Sequence, residues 1–282
     1  MAGLTRRTAL AAAGLLPLAA ACTSSDDTNG DAPVTRDDQQ DGPTRITYGD
    51  DESQWVDRYD PVGTSRGTVV VVHGGFWRSA YAADLGAPLA ADLASRGWTA
   101  LNVEYRRVGN GGGFPSTFDD VHAAINLVEG DGPVVTLGHS AGGHLATWAA
   151  ARLRFDEWSE GVAITHVLSQ AGVVDLTTAY EENLGDGAVA ALMGAGPDDP
   201  SYDLADPIRH VPLDVPAWCL HAPDDTSVPI SQSEAYVAAA TDAGADARLV
   251  EVTGGHFELI DTSTDAWRTI LGILDGVSPA AG

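Results

Sequence analysis

The sequence predicts an α/β protein with a mostly parallel central sheet flanked by helices on both faces. Three observations carry this. From residue 44 onward, β-rich apolar runs alternate with amphipathic or alanine-rich stretches, the pattern of a parallel sheet with crossover helices. The run GTVVVVHGG, residues 67–75, is continuously apolar, as a strand buried on both faces must be. Residues able to do chemistry fall just after strands, where open sheets of this kind bind their ligands. At 282 residues, 44% of them hydrophobic, the chain is long enough to bury a sizeable core.

The elements follow in order. Residues 1–22, MAGLTRRTALAAAGLLPLAAAC, have the layout of an export signal: Arg6 and Arg7, an apolar stretch from Ala9 to Ala21 too short to span a bilayer comfortably, then Cys22. The paired arginines are similar to a twin-arginine signal. Small residues running into Cys22 resemble a lipoprotein cleavage site, with plain secretion by nearby cleavage as the alternative. Residues 23–43 contain no aromatic residue and only Val34 among large aliphatics, which predicts a flexible acidic linker.

The domain then spans 44–282. It opens with short strands at RITYG and WVDRYDP, then the strand at 67–75. Helix is expected at about 81–95, strand at 98–105, helix at 116–129 and strand at 133–137. A helix at 142–154 and a strand near 164–170 follow, then an irregular section at 176–216. Strand VPAWCL, helix SQSEAYVAAATDAG, strand ARLVEV and a helix around 263–275 close the chain. Cys219, within AWCL, is expected to be a buried structural cysteine.

The charge is one-sided: 40 acidic residues stand against 15 basic ones, all arginine, for a formal net charge of −25. Such a surface repels phosphate backbones and anionic lipids, which argues against a nucleic-acid partner and leaves a lipid on Cys22 as the route to a membrane. No phosphate loop, HExxH helix or Cys/His cluster suggests a nucleotide, metal or other cofactor.

Gly138-His-Ser-Ala-Gly142 fits the G-x-S-x-G nucleophile elbow, in which a sharp strand-to-helix turn exposes the hydroxyl of Ser140. It lies between PVVTL and a helix pattern, the context that the motif requires. A serine becomes nucleophilic when a histidine takes its proton and an acid orients that histidine. His256, in the loop VTGGHFEL after the last strand, is placed for this. The acid should leave the preceding strand, in HAPDDTSVPIS, where Asp224 and Asp225 are both candidates. The tetrahedral oxyanion needs fixed N–H donors. Ala141 follows the nucleophile, and Gly75 and Phe76 lie in the earlier loop HGGFW. The side chains of Phe76 and Trp77 are expected to wall the pocket, with core packing an equal alternative for Trp77.

Together, HGGFW, GHSAGGHL, D-x-x-V-P, GGHF and EYRRVGNGGGFPSTFDDVHAA at 104–124 make residues 45–275 resemble α/β-hydrolases of the kynurenine formamidase-like and feruloyl or acetyl-xylan esterase-like group. The resemblance implies an α/β-hydrolase fold with Ser140 as nucleophile, Asp225 as acid and His256 as base, and Phe114 beside the pocket. One departure is His221-Ala222, where the group has His-Gly before the acid, and it keeps Asp224 in contention. Charged residues in Glu104–Arg107 are expected to fix the loop Gly111–Phe114 through ion pairs, with substrate binding as the alternative. The expected function is an exported hydrolase of small carboxylic esters acting through an acyl-enzyme. An arylformamidase acting on N-formylkynurenine is the alternative, and a catalytically silent binding module is a third reading.

Overall fold

The computed structural model of the protein describes residues 42–277. The expected export signal with Cys22, and the linker up to residue 41, lie outside the described residues.

The elements run β1 (Thr44–Thr47), β2 (Trp55–Tyr59), β3 (Thr68–Val72), α1 (Ala87–Ser95), β4 (Thr99–Val103), α2 (Ser116–Ile125), β5 (Val134–His139), α3 (Ala141–Ala151) and β6 (His166–Gln170). After them come α4 (Leu176–Glu181), α5 (Leu184–Met193), α6 (Ser201–Ala205), β7 (Ala217–His221), α7 (Ser231–Asp242), β8 (Ala247–Glu251) and α8 (Asp265–Asp275). Eight strands form one sheet in the order β1-β2-β4-β3-β5-β6-β7-β8. From β4 to β8 every pairing is parallel, and the β1–β2 hairpin joins antiparallel at one edge. This is the α/β-hydrolase fold.

Alternate residues of the strands feed two cores, as the period of two demands. Val70 and Val72 point with Leu101 and Val103 into one layer, closed by Phe118 and Val121 of α2, Leu145 and Trp148 of α3 and Tyr236 of α7. Val69 and Val71 face the other, closed by Leu89 and Leu93 of α1 and Trp267, Ile270 and Leu274 of α8. Cys219 is buried at 1% exposure, and burial pushes its thiol up to about 12.

The structure departs from expectation over 176–216, which is not irregular. It holds α4, α5 and α6, and the start of α4 is set by one local and one distant carboxylate. Asp175 caps α4 through the Thr178 N–H at 2.9 Å, and Asp206 accepts the Leu176 N–H at 2.8 Å from 30 positions away. In α5 the first turn is left-handed at Gly185, Asp186 and Gly187, which erases any helical period there.

Candidate active site

Parallel strands β3 and β5 lie side by side with Val72 opposite Gly138, so the loops leaving both strands emerge together. The turn after β5 is tight. Ser140 sits at φ 57°, ψ −120°, a conformation that side chains avoid, with its N–H held by the Gln170 carbonyl at 2.8 Å. Only glycine fits around it. A Cβ on Gly142 would stand 2.0 Å from the Val72 carbonyl oxygen, and one on Gly138 would stand 2.0 Å from that of Gly142. Ser140 thus begins α3 at the carboxyl end of the sheet, and is 2% exposed.

The loop after β7 presents Asp225. Its Oδ1 accepts the N–H groups of Ser227 at 2.8 Å and Val228 at 2.9 Å, while Oδ2 lies 2.6 Å from His256 Nδ1. Asp224 is exposed, whereas Asp225 is buried. A carboxylate can only accept, so His256 Nδ1 carries the proton and Nε2 is left with a lone pair. Burial would push Asp225 up, but His221, His256 and the Val228 N–H together hold it well below the usual carboxylate range.

The His256 loop returns to the serine turn through His139, the residue before Ser140. His139 Nε2 donates to the His256 carbonyl at 2.9 Å, and the two rings lie 4.4 Å apart. Burial, with His256 nearby, lowers His139 to about 3, so it stays neutral beside a base that must become charged. Among the described residues no hydrogen bond joins the Ser140 hydroxyl to His256; such catalytic bonds often tighten only as substrate binds.

The loop after β3 lies against the elbow: a Cβ on Gly74 would be 3.0 Å from that of Ser140. Gly75, Phe76 and Trp77 take φ values of 112°, 52° and 53°. Among the described residues, no protein group accepts from the N–H of Gly75, Phe76 or Ala141. Three donors thus remain free beside the serine, Ala141's at the positive end of α3.

Of the expected pocket residues, Trp77 takes its core alternative. It is fully buried, with its ring edge-on to His144 at 5.2 Å. Phe76 stays half-buried, packed on Gly185 of α5. Phe114 is half-buried against Phe118 at 5.2 Å and Trp158 at 6.5 Å. The Glu104–Arg107 expectation is corrected in part. Arg106 pairs with Asp120 of α2 at 2.7 Å across the following loop, as expected, and the Gly112 N–H adds a backbone bond to the Arg107 carbonyl at 2.8 Å; only the Glu104–Arg107 pair departs, turning toward His73.

Two neighbours escaped sequence reasoning. His221 places Nε2 3.5 Å from Asp225 Oδ2 while bonding the Val228 carbonyl at 2.9 Å. His139 occupies the variable position of the G-x-S-x-G motif. Their signal was position: His221 ends β7 four residues before Asp225, and His139 is the last residue of β5. Among the described residues, no group of three or more His, Cys, Asp or Glu could hold a metal ion, and no helix is long and apolar enough to cross a membrane.

Comparison with known proteins supplies the wider frame. A family model described as BD-FAE matches residues 57–239. Esterase LipQ of Mycobacterium tuberculosis is 30% identical over 236 residues, 74% of this chain and 55% of the relative. Esterase LipC of the same organism is 25% identical over 218 residues, 68% of this chain and 53% of the relative. The chain spans about half the length of these curated relatives. Among solved structures, a truncated carbohydrate esterase from gut microbiota shares the fold at TM-score 0.68 and 22% identity, covering 84% of this chain and 98% of that one. Esterase Est2 of Thermogutta terrifontis does so at TM-score 0.67 and 19% identity, covering 86% and 96%.

Proposed function

The chain belongs to the BD-FAE family of α/β-hydrolase esterases, and from that premise we propose that it is an exported serine hydrolase that cleaves small carboxylic esters through an acyl-enzyme on Ser140. His256 Nε2 takes the serine proton as the hydroxyl attacks the ester carbonyl, and Asp225 steadies the imidazolium. The oxyanion lies among the N–H groups of Gly75, Phe76 and Ala141, each worth a few kcal/mol to the transition state. His256 then returns the proton to the departing alcohol. A water deprotonated by the same nitrogen releases the acid and restores Ser140.

The observation that carries this reading is the 2.6 Å bond from His256 Nδ1 to Asp225, on a loop tied through His139 to the strained serine turn. The names of the curated relatives favour an ester over a formamide. p-Nitrophenyl acetate should give a burst of nitrophenol stoichiometric with protein, and Ser140→Ala should lower turnover at least about 10³-fold. Neither burst nor turnover would leave the silent binding module. Faster turnover of an N-formyl anilide than of aryl acetates would select the arylformamidase.

Export and lipidation of Cys22 rest on Arg6, Arg7, the apolar stretch to Ala21 and the cysteine that follows. Palmitate label on the chain expressed in a bacterial host, lost in Cys22→Ser, is the expected result. An unlabelled chain in the medium would mean plain secretion.

A further inference from the structure

A buried ion pair is an expensive way to fill space, because apolar side chains of the same volume usually hold a fold as well or better. Glu104 and Arg107 are nevertheless 3% and 4% exposed and paired with one another. Burial pushes the Glu104 carboxyl up, against the opposing pull of the Ala83 N–H and Arg107, and among the described residues the Arg107 Nε has no hydrogen-bond partner. What the pair touches explains it.

Arg107 Nη1 lies 3.4 Å from His73 Nε2, and His73 Nδ1 lies 2.8 Å from the Gly74 carbonyl oxygen. A carbonyl only accepts, so Nδ1 carries the proton and Nε2 receives the Arg107 N–H. Tyr105 holds the same histidine twice, stacking on its ring at 4.4 Å and donating its hydroxyl to its carbonyl at 2.8 Å. The far end of the loop is held by the same segment: the Val108 N–H donates to the Trp77 carbonyl at 2.8 Å and the Ser79 N–H to the Val108 carbonyl at 3.0 Å. Residues 104–108 therefore grip the loop before and after Gly75 and Phe76.

Planarity of the peptide converts this grip into direction. In a trans peptide the C=O and N–H point opposite ways, so a carbonyl pinned on one side aims the next N–H to the other. His73 pins the Gly74 carbonyl, which aims the Gly75 N–H. The Arg78 N–H pins the Gly75 carbonyl at 3.0 Å, which aims the Phe76 N–H. These are the two unpaired donors offered to the oxyanion, in a loop whose left-handed backbone would otherwise relax.

We propose that the Glu104–Arg107 pair is a positioning device for the oxyanion donors, acting through His73 to fix the direction of the Gly75 N–H. The proposal rests on the ester-hydrolase reading and adds to it residues that never touch substrate. The pair serves the transition state, so its loss should fall on kcat and on affinity for a tetrahedral analogue, with little effect on KM.

The test is a double variant, Glu104→Leu with Arg107→Met, which removes both charges without stranding either. A second variant, His73→Phe, keeps the ring on Tyr105 but loses the bond to the Gly74 carbonyl. With p-nitrophenyl acetate, both should lose about ten- to hundredfold in kcat with KM changed less than about threefold. Affinity for an arylboronic acid should fall in step with kcat, while melting temperature stays near the parent's. If the double variant does not fold, His73→Phe decides alone. Folded variants with kcat within twofold of the parent, or with reduced kcat but unchanged boronate affinity, overturn the proposal. A parent inert toward both probes removes the ester-hydrolase reading and this inference with it; an active parent with unaffected variants removes this inference alone.

Discussion

Asp225 meets three needs with two oxygens: it closes its own turn, orients His256 and faces His221. Replacement by Asn should turn an N–H toward the imidazole and favour the wrong tautomer, lowering kcat about 10³–10⁴-fold, whereas Asp224→Asn, altering an exposed side chain, should leave kcat within about twofold. Steady-state rates with an aryl acetate check both. The pH dependence follows from the depressed carboxyl. The folded value lies below the unfolded one, so its contribution to stability is complete above the unfolded value near ~3.9 and is lost as pH falls through the folded one. The gap in melting temperature between parent and Asp225→Asn should accordingly be widest near neutrality and shrink in acid. Ser140, His256 and the two aspartates were legible because chain order and post-strand position are written in the sequence. The choice of Asp225 needed the resemblance, since turn geometry alone allows either neighbour. His221 and Trp77 were harder, because whether a side chain faces a site or a core depends on packing that no local pattern reports.

The elements divide by where their instructions lie. Strands β3 to β8 announce themselves by apolar runs, and α8 by its apolar stripe, because burial on known faces dictates residue type. Segments α4 to α6 are short and interrupted by glycine and proline, and the start of α4 needs, beside its local cap Asp175, the Asp206 carboxylate to reach the Leu176 amide from 30 positions away. That information is tertiary. The elbow glycines show how strictly an element can bind its sequence. Gly142→Ala would drive a methyl against the Val72 carbonyl oxygen and should destabilise by about 2–4 kcal/mol. Gly272→Ala in α8, where a Cβ meets nothing within 4 Å, should instead stabilise by about 0.5–1 kcal/mol through helix propensity. Denaturant midpoints of the two variants test the contrast.

On the scale of the whole molecule, the chain carries a formal charge of −25 and its substrate is proposed to be a small ester. An anionic ester should be repelled at low salt and a neutral one should not. The ratio of kcat/KM for a succinate monoester to that for an acetate ester should therefore rise with ionic strength as the Debye length shrinks from about 30 Å toward 3 Å. The backbone at Ser140 reaches just as far. A side chain held at φ 57° is a loaded spring, compressed by the sheet and both flanking glycine contacts and released by unfolding. Glycine is at ease in that conformation and alanine is not. Ser140→Gly should melt higher than Ser140→Ala by the equivalent of about 1 kcal/mol, a few degrees for a domain of this size. Heat tolerance and reactivity would then be drawn from opposite ends of a single dihedral angle, and a hardier protein with glycine there would be a dead one.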